Sequence, residues 1–148
     1  MPSSYSRVLM SISAAVLAAV GLAGSFLPRE SLRWLGSPPS VPLELMLQVL
    51  GALSLGFAML DWMARHTVIG GIYGRPVVVG NLLHFASGAL ALAKGLLRVP
   101  EARLLWPLAL VYAALALGFA VAMFRHPARR TAPPSGGGAE AARGEPAA

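Results

Sequence analysis

Asp61-Trp62-Met63-Ala64-Arg65 is followed, after a glycine-rich stretch, by Arg75-Pro76 and then by Asn81 and His84. On a helix Asp61 and Arg65 stand one turn apart on one face, and so do Asn81 and His84. Imidazole titrates near neutral pH, so His84 suits a proton relay or the binding of a polar ligand, with Asp61, Asn81, Arg65 and Arg75 around it. The structural use of the same residues is a neutral His84 hydrogen-bonded to Asp61, Ser87 or a carbonyl group. Glu44, Gln48, Lys94 and Arg98 form a second polar group at the other ends of the same two segments. At a helical rise of about 1.5 Å per residue they fall level with one another. This predicts a Glu44–Lys94 or Glu44–Arg98 ion pair that locks a bundle; the alternative is a mouth for cations or protons.

Much chemistry is excluded. There is no cysteine, hence no disulfide, thiolate metal site or cysteine nucleophile. No phosphate-binding loop, Rossmann glycine pattern, nucleophile elbow or HExxH pair occurs. A haem held by two histidines of one chain needs a second histidine inside a span, and His66 and His126 fall at span ends. No catalytic residue, metal-ligand set or cofactor is therefore read from the sequence, which points to a non-enzymatic protein.

The elements that position these residues follow from composition. The 148 residues suffice for one domain and are 56% hydrophobic but only 12% charged, about half the charged share of a soluble domain. Four stretches approach the roughly 20 apolar residues that cross a bilayer: 8–27, 42–64, 76–97 and 104–124. The expected fold is all-α, an integral membrane four-helix bundle with antiparallel up-down topology over residues 1–126. Residues 127–148, rich in Pro, Gly, Ala and Arg, read as a disordered cytoplasmic tail. The first span is too long for the apolar region of a cleaved signal peptide, whose usual length is about 7–15 residues. Residues 30–35 read as a short interfacial turn, and 99–102 as a tight hairpin between the last two spans. Gly70, Gly71 and Gly74 between Arg65 and Arg75 suit either a re-entrant, anion-binding turn or a plain flexible link.

The net charge of +6 does not indicate nucleic acid, because the basic residues flank apolar runs instead of lining one face. Their expected partner is the lipid bilayer. Arg7, Arg65, Arg75, Arg125, Arg129 and Arg130 fall on one side; Arg29, Arg33, Lys94, Arg98 and Arg103 fall on the other. The basic cluster at 125–130 favours the inner membrane of a bacterium with both termini in the cytoplasm.

Helical periodicity sorts the two middle spans. Glu44, Gln48, Gly51, Ser54, Ala58, Asp61 and Arg65 share one arc, opposite Met46, Val49, Leu53, Phe57 and Leu60. Asn81, His84, Ser87, Gly88, Ala91, Lys94, Gly95 and Arg98 share another, opposite Leu82, Phe85 and Leu92. An ionisable group facing lipid costs at least ~3 kcal/mol, so both arcs are expected to face inward. Stripes of small residues, Ser11-Ala15-Ala19-Ala23 and Ala109-Ala113-Ala116-Ala120, serve either packing within the chain or the seam of a homodimer.

The runs from Gly56 to Arg65 and from Ile69 to Pro76, then Gly80-Asn81 and His84-Phe85, resemble those of a family of small, uncharacterised bacterial membrane proteins, distantly similar to the DoxX-like group. The resemblance implies a four-helix membrane fold and concentrates interest on residues 56–85. It supplies no catalytic motif. The leading expectation is a non-enzymatic accessory subunit or small-ligand-binding module, alone or with a membrane-complex partner. The alternatives are a proton-coupled small-solute carrier and, because the wider group includes subunits of quinone-linked oxidation, a quinone-associated redox subunit.

Overall fold

The structure, a computed structural model, describes residues 4–66, 74–98 and 105–125. These form five helices: α1 (Ser4–Phe26), α2 (Pro28–Trp34), α3 (Val41–Ala64), α4 (Gly74–Arg98) and α5 (Trp106–Arg125). All but α2 are long and apolar enough to cross a membrane. The glycine-rich link around Gly70 and Gly71, the expected 99–102 turn, Arg103 and the tail at 127–148 lie outside the described residues.

Proline sets the helix starts. Pro28 begins α2, and Pro42, Pro76 and Pro107 lie in the first turns of α3, α4 and α5, where a missing N–H breaks no helical bond. The short segment after the first span is a true helix, and Gly36 stops it. Gly36 has φ +73°, its N–H donates to Arg33 O at 3.0 Å, and Ser37 N–H donates to Leu32 O at 3.0 Å. This pair of reversed bonds caps the carbonyls of the last turn, and the left-handed φ favours glycine.

The long helices associate as two pairs, α1 with α3 and α4 with α5, while α3 meets α4 and α1 meets α5 more sparsely. Glycine lets α1 and α3 approach. A Cβ on Gly51 would lie 2.6 Å from the Ser25 amide nitrogen and 2.9 Å from Gly21 O, and one on Gly21 would lie 2.9 Å from Gly51 O. Rising numbers in α1 meet falling numbers in α3: Ser13 reaches Asp61, Gly21 faces Leu55, and Gly24 faces Leu47. The second pair is joined by rings. Phe85 stacks on Phe119 at 5.8 Å between centroids and meets Tyr112 edge-on at 5.1 Å. Tyr112 lies across Gly88, where a Cβ would come within 2.6 Å of the ring.

The buried face of α3 agrees with its periodicity. Gly51, Ser54, Ala58 and Asp61 are buried, and Met46, Val49, Leu53 and Leu60 are exposed, although Gln48 is exposed as well. α4 requires a correction. Asn81 is buried, but Ser87, Ala91, Lys94 and Arg98 are exposed, and Phe85, placed by sequence on the opposite side, is fully buried. The reason is that α4 packs chiefly on α5, so its orientation follows the Phe85, Tyr112 and Phe119 rings and not its polar arc. In α1 the small-residue stripe is also not the packed face: Ala15 and Ala19 are exposed, whereas Met10, Ser13, Leu17, Gly21 and Gly24 are buried.

Overpacking a tight contact costs typically about 1–3 kcal/mol. Gly51→Leu should therefore lower the unfolding midpoint of the detergent-solubilised protein markedly. Gly56→Ala, where a Cβ meets nothing within 4 Å, should leave it unchanged or raise it. Equal midpoints for the two variants would refute the close approach of α1 and α3.

Candidate functional site

Asp61 lies one turn before the end of α3 and is fully buried. Ser13 Oγ of α1 donates to Asp61 Oδ2, and Asn81 Nδ2 of α4 donates to Asp61 Oδ1. One carboxyl group thus joins three helices. Asn81 Nδ2 also reaches Val77 O at 3.0 Å, while Asn81 Oδ1 is buried without a partner among the described residues. Of the five residues proposed from sequence, the structure brings Asp61 and Asn81 together. Ser13, equally central, was not singled out. The available signal was a heptad, Ser6 and Ser13 on one face of α1, both buried.

The remaining three point elsewhere. Arg65 does not pair with Asp61; its guanidinium lies 3.3 Å over the Trp62 ring, and its Nε donates to His66 Nε2 at 2.9 Å. A cation over an indole face is a favourable contact of about 0.5–1 kcal/mol at an exposed place. Arg75 is exposed at the start of α4.

His84 is held by rings. Phe57 stacks on it at 5.1 Å, Phe85 meets it edge-on at 5.3 Å, and Tyr112 tilts against it at 5.8 Å. Its Nε2 is buried and has no hydrogen-bond partner among the described residues. The imidazole lines a cleft of about 590 Å³ between α3 and α4, with Leu50, Leu53, Phe57, Leu83 and Ala91 among its walls. A smaller groove of about 250 Å³ adjoins it, shares Phe57 and Gly80, and reaches Asn81 beside Pro76 and Val77. A largely apolar cleft with a few polar side chains such as His84 and Ser87 in its wall is a common form of small-molecule site.

The second polar group also needs correction. Glu44 pairs with Arg29, whose Nε lies 2.9 and 3.0 Å from the two carboxylate oxygens. Lys94 and Arg98 are exposed at the end of α4. The short helix α2 turns the chain back so that Arg29 reaches the first turn of α3 before any residue of α4 does. Arg29 is 65% exposed, and pairs of this kind contribute at most about 1 kcal/mol. Among the described residues no group of three or more acidic, histidine or cysteine side chains is placed to hold a metal ion. The chain matches no family model, no curated protein and no solved structure.

Interhelical hydrogen bonds inside bundles of this kind are worth on the order of 0.5–2 kcal/mol. A double-mutant cycle of Asp61→Ala and Asn81→Ala, read by thermal unfolding in one detergent, should give a coupling energy in that range. Strict additivity of the two substitutions would disprove the tie between α3 and α4.

Proposed function

We propose that this chain is a four-span, antiparallel up-down protein of a bacterial inner membrane, with both termini in the cytoplasm, that binds a small ligand without performing chemistry on it. Lipid as its surroundings is supported by the large apolar side chains turned outward on all four long helices, among them Phe26, Val49, Met63, Leu90, Leu97, Leu117 and Phe124. The basic span ends support the orientation. Kinship with DoxX-like membrane proteins is part of the same reading and rests on the motif between residues 56 and 85.

The observation that carries the ligand is His84, which lines the α3–α4 cleft and whose buried Nε2 has no hydrogen-bond partner among the described residues. Leaving a buried polar atom unpaired costs about 1–3 kcal/mol, a cost removed when a ligand supplies the missing partner. The cleft suits a molecule with an apolar body and one polar group directed at His84. A quinone head is one member of that class. The ligand role fits either a free-standing module or an accessory subunit that presents the molecule to a larger membrane complex. Transport is the competing role, and the burial of Asp61 favours it; pH-driven flux in liposomes that Asp61→Asn abolishes would establish it.

Native mass spectrometry of protein extracted in mild detergent tests the ligand directly. The wild-type chain should carry a small-molecule adduct that His84→Ala and the cleft-filling Leu53→Trp each lose, with both variants still folded. A ligand-free wild type, or an adduct indifferent to both substitutions, would rule the cleft out.

A further inference from the structure

We infer that the outward groove between α1 and α3 is a site for one anionic phospholipid, with an acyl chain in the groove and the phosphate at Arg65. The groove holds about 340 Å³, with Ala14, Ala15 and Ala18 on one wall and Ala58, Met59 and Trp62 on the other. That volume falls within the range of roughly 300–1,000 Å³ typical of ligand clefts. Four of these six side chains are alanine methyls, too short to fill the space between the helices. Met59 and Trp62 are exposed, so the groove opens on the face that the apolar side chains present outward. A lining of this kind has almost nothing to offer a polar body and suits a hydrocarbon chain.

Charge identifies the other half of the molecule. Ser13 meets Asp61 and the two helices run antiparallel, so the start of α1 lies beside the end of α3. At about 1.5 Å per residue, Arg7 stands roughly 9 Å and Arg65 roughly 6 Å beyond that contact, at the same end. Arg7 is exposed and shares the face of α1 that carries Ala14 and Ala18. The Arg65 guanidinium lies 3.3 Å over the ring of Trp62, which is itself a wall of the groove. Stacking occupies the flat face of a guanidinium and leaves its in-plane N–H groups to other partners. Nε donates to His66, and Nη1 has no hydrogen-bond partner among the described residues. Neither arginine is paired with a carboxylate among those residues. Phosphate oxygens are the acceptors that such donors fit, and an indole beside them is at home at headgroup depth.

A second copy of the chain fits this end less well. The described helices bring it no free acid: Asp61 is buried, and Glu30 and Glu44 lie at the opposite end. Inorganic phosphate would satisfy the arginine and leave the groove empty. The lipid site presupposes the lipid surroundings proposed above. It shares no residue with the His84 cleft and stands if no ligand is found there.

The test is native mass spectrometry of the purified full-length protein in detergent, titrated with phosphatidylglycerol or with phosphatidylcholine of identical acyl chains. One phosphatidylglycerol per chain should bind roughly tenfold more tightly than phosphatidylcholine, and inorganic phosphate should not displace it. Arg65→Gln should remove that tenfold preference, the effect of losing one charge-assisted contact. Ala15→Trp, at an exposed place on the wall, should weaken both lipids alike. Arg98→Gln, which removes an exposed basic residue of α4, should change nothing. A wild type with no preference for phosphatidylglycerol overturns the inference whether or not the variants fold. So does a preference that survives Arg65→Gln, an equal loss on Arg98→Gln, displacement by inorganic phosphate, or a dimer that Ala15→Trp dissociates. Recovery of the chain in solution without detergent would sink the lipid surroundings as well.

Discussion

A carboxyl group without access to solvent has few stable placements in a small helical protein, and Asp61 imposes those limits on everything near it. It must face the interior, so the rotation of α3 about its own axis is set. That rotation turns Leu53, Leu60 and Met46 outward and Gly51, Ser54 and Ala58 inward. It also demands donors from two directions, and Ser13 and Asn81 supply them. The glycines at 21, 24 and 51 then let the α1 backbone come near enough for Ser13, with its short side chain, to reach across.

The features that were legible in the sequence are those governed by length and by a single dominant group. Helix starts follow from proline in first turns, and span lengths follow from apolar runs. The face of α3 was readable because Asp61 and the small residues above it share one arc. The orientation of α4 is not legible in the same way, because its polar residues also share an arc while the stronger constraint lies outside its own sequence. Phe85 is drawn inward by Tyr112 and Phe119 of the next helix, and Lys94 and Arg98, near the end of the helix, carry long stems that reach polar surroundings without turning the helix.

The polar partners divide in the same way. Asp61 and Asn81 meet because both turn inside and both fall near the same helix ends. Ser13 carried too little signal, being a common small residue in a span full of them. Glu44 was matched in depth to α4, yet the seven-residue helix α2 delivers Arg29 to it first. Local chain reversal wins over distant pairing because it orders fewer residues.

The ties between the two helix pairs are unevenly distributed. Tyr5 OH of α1 donates to Gly118 O of α5 at 3.2 Å, and Asn81 of α4 donates to Asp61 of α3. Both lie toward the end where α1 begins and α3 finishes. The wide part of the α3–α4 cleft, from Phe57 to Leu50 and from His84 to Ala91, extends away from that end. The described hydrogen bonds between the two helix pairs are therefore gathered at one end, and the cleft opens where the Phe57–His84 ring contact joins α3 to α4.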